Sequence, residues 1–347
     1  MQTRTRNDLT ELLGIRGTLT LDPLESPALA NNPLGDPSRR LLGVYTPPEY
    51  DAEGSSRYPV LYLLHGYTGD LAATVSSRQW EPNVVQRIDR LIVAAKMPPA
   101  MLVIVDGNTR LGGSQYVDSI HNGAYATYVV RDVIGYIDAA YRTVARAEGR
   151  GVLGKSTGGF ASLHLTMNYP GHFSAFASHS GDSYFRVCQV GSLLRCMRTL
   201  EKYESLEAFV EAFERKEKPK FEEVTTLEMM AYAAAYSPTA ARAFAFDLPI
   251  DLRTGAFRDD VWARWLSYDP TEQIPRKRPE LAALRLRYID CGRRDEYGLD
   301  VGARVMAQQI RNHGLDVRHE EFDDDHRNIG YRYDVSLPAL AAVLDTA

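Results

Sequence analysis

The chain has 347 residues, of which 44% are hydrophobic and 24% charged, and a formal net charge of −5. This composition builds a large core and excludes a disordered chain, and the mixing of both signs without a basic stripe excludes nucleic acid as a partner. No stretch approaches the roughly 20 apolar residues of a membrane span, and Cys188, Cys196 and Cys291 lack the spacing of a zinc site or a disulfide framework.

The N-terminus, MQTRTRNDLTELLG, is polar and has no apolar centre of a secretory signal, so a soluble, cytoplasmic protein with free thiols is expected. Beyond it, short apolar runs bounded by turn residues alternate with stretches of helical period. That is the pattern of an α/β fold, a mostly parallel sheet with helices on both faces. Eight strands are expected, over residues 16–21, 40–46, 59–64, 101–105, 151–154, 174–179, 284–291 and 316–321. Helices are expected over 80–95, 123–141, 158–168, 299–313 and 334–345. The fourth shows the logic: Val301, Val305, Gln308 and Ile310 give a partly apolar face, Asn312-His313-Gly314 a stop, and Asp300 an N-terminal cap. Residues 22–38, with several Pro, Asn and Gly, read as an ordered loop.

From 182 to 283 the alternation stops. Charged helical pattern (EKYESLEAFVEAFERKEK, then TTLEMMAYAAAYS) gives way to aromatic-rich loop, with no clear buried strand. This segment reads as a helical cap inserted between the sixth and seventh strands, leaving 1–181 and 284–347 as the core.

Two motifs overlap at Ser156. GKSTG, residues 154–158, fits the turn Gly-x-Ser-x-Gly that exposes a nucleophilic serine, and GRGVLGKS, residues 149–156, fits a phosphate-binding loop. A phosphate loop needs an apolar strand before its first glycine. Here YRTVARAE, the charged end of a helix, precedes Gly149, and the strand residues Val152-Leu153 lie inside the motif. A strand running straight into Ser156, with Gly154, Gly158 and Gly159 around it and the helix FASLHLTMNYP leaving it, favours the nucleophile.

A serine hydroxyl needs a neutral imidazole to take its proton and an acid to orient that imidazole. In this type of turn-bearing sheet the chain order is serine, acid, histidine. His65, His121, His164, His172 and His179 come too early, His313 ends a helix and His319 lies in a strand. His326, in the polar loop FDDDHRNIGY after the last strand, is therefore the expected base. The loop of RYIDCGRRDEYGLD supplies the acid, with Asp295 first and Glu296 second. Oxyanion donors are expected from the backbone N–H groups of Thr157 and of Tyr67 in LLHGYTGD, where Gly66 leaves room for substrate.

With these residues in hand, the chain resembles the putative-esterase (esterase D-like) family of α/β hydrolases, which includes S-formylglutathione hydrolases, enterochelin esterases, feruloyl esterases and mycolyltransferases. The similarity runs through RRLLGVYTPPEYD, YPVLYLLHGYTGD, VIVDGNTRLGGSQYVDS, GKSTGGFASLHLTMNYPGHFSAFASHSGD, YIDCGRRDEYGL and FDDDHRNIGYRYDVSLP. It implies an α/β-hydrolase fold and the roles already given to Ser156, Asp295, His326, Tyr67 and Thr157. It further implies that Ser114, Gln115 and Tyr116 line the pocket. Lys155 is charged where relatives usually carry an uncharged or aromatic residue, and Thr157 replaces a common Met. Gly66, Lys155 and Trp265 of the insertion complete the expected substrate-binding set.

The expected activity is hydrolysis of a small-molecule carboxylic ester, aromatic or of short-to-medium acyl length, through an acyl-enzyme and without metal or organic cofactor. An acyltransferase using the same residues and a catalytically silent binding protein are the alternatives. The oligomeric state is open, a homodimer included.

Overall fold

A computed structural model describes residues 7–76 and 78–346; the polar residues 1–6, part of the N-terminus expected not to be a signal, lie outside this range. The strands are β1 (Asn7–Asp8), β2 (Thr18–Glu25), β3 (Arg39–Thr46), β4 (Val60–Leu64), β5 (Met101–Val105), β6 (Asp118–Ser119), β7 (Gly123–Ala124), β8 (Arg150–Lys155), β9 (Ala175–His179), β10 (Leu286–Gly292) and β11 (Arg318–Phe322). β6 and β7 form a separate short ribbon, and the other nine make one sheet in the order β1-β2-β3-β5-β4-β8-β9-β10-β11. The six strands from β5 to β11 in that order run parallel, and β1, β2 and β3 join antiparallel at one edge.

All eight expected strands are present; the two-residue β1 is the addition to the sheet, and the β6-β7 ribbon is a further one. The loop expected over 22–38 begins later than predicted, because β2 continues through Pro23 to Glu25. β1 covers only Leu21 and Thr20 of β2, so Pro23 sits on an open edge, where its missing N–H breaks no ladder.

Alternation along the central strands separates two cores. Val60, Tyr62 and Leu64 of β4 join one buried cluster, and Leu61 and Leu63 join the other. The second cluster is closed by helix Val84–Val93 and helix Tyr333–Ala341. The first of these starts with a capping box, Asn83 accepting from the Gln86 backbone N–H and Gln86 accepting from that of Asn83, each at 3.0 Å. The other face is closed by helices Thr157–Asn168 and Leu299–Asn312 and by a helical stretch over 125–140 that contains a π-helical turn, Tyr128–Val133. Helix Leu299–Asn312 is entered through Gly298 in the left-handed region, φ 73°, so Asp300 is not its cap; it pairs with Arg304 at 3.1 Å instead.

The segment after β9 is helical, with its longest elements at Val190–Leu200 and Phe221–Tyr236 packed on one another. Among its described residues no strand joins the sheet. Its Phe185, Leu193, Phe209, Met230 and Trp265 belong to the same buried cluster as Phe160 and Val152, so its interior is continuous with that of the sheet.

Candidate active site

β4 has β5 on one side and β8 on the other, so chain direction across the sheet reverses there, and a crevice opens beyond the carboxyl ends of β4 and β8. Ser156 follows directly on β8 and precedes helix Thr157–Asn168, with φ 58° and ψ −125°. A non-glycine residue in that region stores about 1–3 kcal/mol of strain. Two hydrogen bonds hold it: the Ser156 N–H donates to the His179 carbonyl at 2.9 Å, and its own carbonyl accepts from Phe160 N–H at 2.9 Å.

The glycines are explained by contact. A Cβ on Gly158 would stand 2.0 Å from the Leu64 carbonyl oxygen, one on Gly154 2.4 Å from Gly158, and one on Gly159 2.8 Å from Gly181. Only at such approach can helix Thr157–Asn168 leave straight from the strand. Residues 150–155 are committed to the sheet ladder between β4 and β9, so their backbone N–H groups are not gathered into the cradle a phosphate loop requires.

β10 and β11 are neighbours, and the loops leaving them touch: a Cβ on Gly292 would lie 2.4 Å from the Asp324 carbonyl oxygen. Asp295 sits in the first loop and His326 in the second, with Asp295 Oδ2 2.8 Å from His326 Nδ1. Asp295 Oδ1 accepts from the N–H groups of Tyr297 at 3.0 Å and Leu299 at 3.4 Å. Burial pushes the Asp295 carboxyl up, but the His326 hydrogen bond and charge, with these two N–H groups, outweigh it and hold the carboxyl below the ordinary range. Glu296 accepts from the His326 backbone N–H at 3.0 Å and from Arg327 Nε at 3.2 Å, so it braces the loop and leaves the ring to Asp295. The Tyr297 ring meets the His326 ring edge-on, with centroids 4.9 Å apart.

The early histidines have other partners. His65 Nε2 accepts from the Gly107 N–H at 2.9 Å and its Nδ1 lies 2.9 Å from the Gly66 carbonyl, which fixes the ring in the loop after β4. His179 lies between Asp290 at 2.7 Å and Ser336 Oγ at 2.8 Å, an acid, imidazole and hydroxyl in line, yet all three are at most 1% exposed and none lines the cavity beside Ser156. Burial pushes His164 down to about 4.

Gly66 packs against the serine, a Cβ there standing 3.3 Å from Ser156 Cβ. The loop that follows is held by the Tyr67 hydroxyl donating to the Leu111 carbonyl at 3.0 Å and the Thr68 N–H donating to that of Gly112 at 2.8 Å. Among the described residues the N–H groups of Tyr67 and Thr157 meet no protein acceptor; Tyr67 lines the crevice and Thr157 directly follows Ser156.

Ser156, Gly66, Tyr67, Lys155 and His326 line one cavity of about 250 Å³, whose far wall comes from the segment after β9 through Cys188, Gln189, Ser192, Thr225, Glu228 and Tyr232. Asp182 lines it too, accepting from the Tyr232 hydroxyl at 2.7 Å and from Thr157 Oγ1 at 3.5 Å; the Glu228 carboxyl lies 3.3 Å from the same Tyr232 hydroxyl. Burial pushes the Asp182 carboxyl up, and burial with the neighbouring Asp182 raises Glu228 to about 8. Sequence reasoning missed these three, since no local motif marks side chains fifty residues apart that meet in the fold. Among the described residues no three His, Cys, Asp or Glu side chains gather as a metal site.

Four expected pocket residues do not line this cavity. Ser114, Gln115 and Tyr116 are at most 1% exposed and lie behind it. Tyr116 there braces the loop, its hydroxyl accepting from the His65 N–H at 3.1 Å and facing the Val105 carbonyl at 3.3 Å. Trp265 is fully buried inside the inserted segment, where its indole N–H donates to Ser237 Oγ at 2.8 Å and its ring meets Tyr236. An aromatic side chain saturates its surface wherever burial is greatest, and here that is the interior of the insertion.

The family model described as putative esterase matches residues 37–337 of the chain. Esterase Rv1288 of Mycobacterium tuberculosis is 33% identical over 146 residues, 42% of this chain and 30% of the relative, so the match spans less than a third of that protein's length. Among solved structures, a ferulic acid esterase superposes with a TM-score of 0.60 at 18% identity, covering 95% of this chain and 98% of the other. An S-formylglutathione hydrolase from Agrobacterium tumefaciens gives 0.58 at 15% identity, covering 95% and 97%. A fluorophosphonate-binding serine hydrolase of Staphylococcus aureus gives 0.54 at 15%, covering 95% and 99%. These likenesses show the α/β-hydrolase fold.

Proposed function

Because the chain belongs to the putative-esterase family, we propose that it is a serine hydrolase of carboxylic esters in which Ser156, His326 and Asp295 form the catalytic triad. The observation that carries this reading is the strained Ser156 and the His326 ring held 2.8 Å from Asp295, with Ser156 and His326 lining one cavity.

In the first step His326 Nε2 takes the Ser156 proton as Oγ bonds to the ester carbonyl carbon. The tetrahedral oxyanion is held by the N–H groups of Tyr67 and Thr157, a type of interaction worth on the order of 3 kcal/mol per donor in the transition state. Collapse breaks the bond to the alcohol, which receives the proton from His326. Water then attacks the acyl-Ser156 ester, His326 again accepting and returning a proton, and the acid leaves. Asp295 keeps Nδ1 as the protonated nitrogen throughout, so that Nε2 is the basic one. Residues 182–283 act as a cap whose inner wall selects substrate, and that wall mixes Asp182, Gln189, Ser192 and Glu228 with the apolar Cys188, Phe221 and Val224.

Hydrolysis of short and medium 4-nitrophenyl esters by the wild type and by Ser156→Ala tests the reading, with circular dichroism verifying both folds. The variant is expected to lose at least about 10³-fold in kcat. A folded variant of undiminished activity would remove Ser156 from the mechanism.

A further inference from the structure

A second cavity, of about 440 Å³, lies on the other side of Gly66 and Lys155, the two residues it shares with the catalytic cavity. Side chains alternate along β8, and Leu153 belongs to the core cluster that also contains Leu63 and Val84. Lys155, two residues on, therefore projects to that same side of the sheet, where Leu63, Val84, Arg87 and Tyr333 line the second cavity.

Three cations border this cavity, and two are answered. Arg87 pairs with Asp334 at 2.7 Å and Arg78 with Glu81 at 3.2 Å. Lys155 makes no hydrogen bond or ion pair among the described residues, although it is only partly exposed. Burial pulls its ammonium below the ordinary lysine range, with Asp295 and Glu296 too distant to form a bond and only partly offsetting that pull. A half-buried cation without a counter-ion is a cost that a folded protein carries where a ligand repays it.

We propose that this cavity is a subsite for one end of the ester and that the end it takes carries a single carboxylate, with Lys155 as its counter-ion. One unanswered ammonium matches one negative charge, and the neutral amide of Asn328 in the same wall offers it a hydrogen-bond donor. The inference rests on the esterase reading and narrows its substrate to anionic esters: half-esters of dicarboxylic acids, or acyl esters of hydroxy acids.

Two matched pairs of esters test it on the intact protein. Adipic acid mono-4-nitrophenyl ester against 4-nitrophenyl hexanoate puts the carboxylate at the acyl end, and acetoxyhexanoate, substituted at its terminal carbon, against hexyl acetate puts it at the alcohol end. The wild type is expected to prefer the anionic member of one pair by about tenfold or more in kcat/KM, the scale of one charge-assisted hydrogen bond. Lys155→Met is expected to abolish that ratio, Lys155→Arg to retain part of it, and added salt to shrink it. Taking ratios within each variant cancels any general damage beside the nucleophile. Equal rates within both pairs, or a preference that survives in Lys155→Met, overturn the subsite and leave the esterase standing, because neutral esters are still turned over. Failure of the esterase reading is distinct: no ester of the four is hydrolysed, a fluorophosphonate leaves Ser156 unlabelled, and the subsite falls with it.

Discussion

At Gly66, an added methyl group would stand 3.1 Å from the Lys155 carbonyl oxygen and 3.3 Å from Ser156 Cβ. Those contacts are tight but short of a clash, so Gly66→Ala is expected to fold and to lose kcat/KM by crowding the serine and the Tyr67 N–H beside it; thermal unfolding and ester kinetics on the same preparation separate the two effects. Asp295→Asn keeps the size of the acid and removes the charge that fixes the His326 tautomer, and about a 10⁴-fold fall in kcat is expected. Glu228 carries a pH signature of its own. Its carboxyl is raised to about 8 in the folded chain, whereas in the unfolded chain it ionises in the ordinary range. Between those values the unfolded state binds fewer protons, so stability falls as pH rises through that window. Glu228→Gln should match the wild type in Tm at about pH 5 and exceed it at about pH 8, as read by circular dichroism.

The turn at Ser156 depends on how closely a helix can follow a strand. A Cβ on Gly158 would meet the Leu64 carbonyl oxygen at 2.0 Å, against rigid backbone of the central strand β4. Gly158→Ala must therefore displace helix Thr157–Asn168, and a loss of about 1–3 kcal/mol is expected from denaturant unfolding, together with lost activity. Within the insertion, Trp265→Ala is expected to cost about 3–5 kcal/mol by the cavity it leaves, as read by denaturant unfolding. These two elements also mark what a reader of the sequence can see. The strand, the serine, its glycines and the following helix are contiguous, so the turn is legible locally. Asp295 over Glu296 is a matter of which way two adjacent side chains point, set by the Tyr297 and Leu299 N–H groups and by the neighbouring loop, and the sequence ranks them without deciding.

For the molecule as a whole, the parallel sheet and its strand sequence were legible because each buried strand is a short apolar run between turn residues. The Asp182–Tyr232–Glu228 chain and the burial of Trp265 were not, because both arise from contacts between distant segments. The Gln115 amide is fully buried, and among the described residues neither of its polar atoms has a partner. The segment after β9 leaves the sheet at His179 and returns at Leu286, and β9 and β10 lie side by side, with Ala175 opposite Leu286. Because the two strands are parallel, with His179 opposite Asp290, the chain must cross back from the carboxyl end of β9 to the amino end of β10; that span is fixed by the sheet whatever the length of the excursion, and each doubling of a flexible connection costs only about 0.6 kcal/mol. Evolution can lengthen, shorten or replace the excursion at that seam without disturbing the catalytic edge, provided the residues facing it are resurfaced in step. A change confined to the excursion would thus remodel the wall facing Ser156 while leaving the strand and helix that hold the serine where they are.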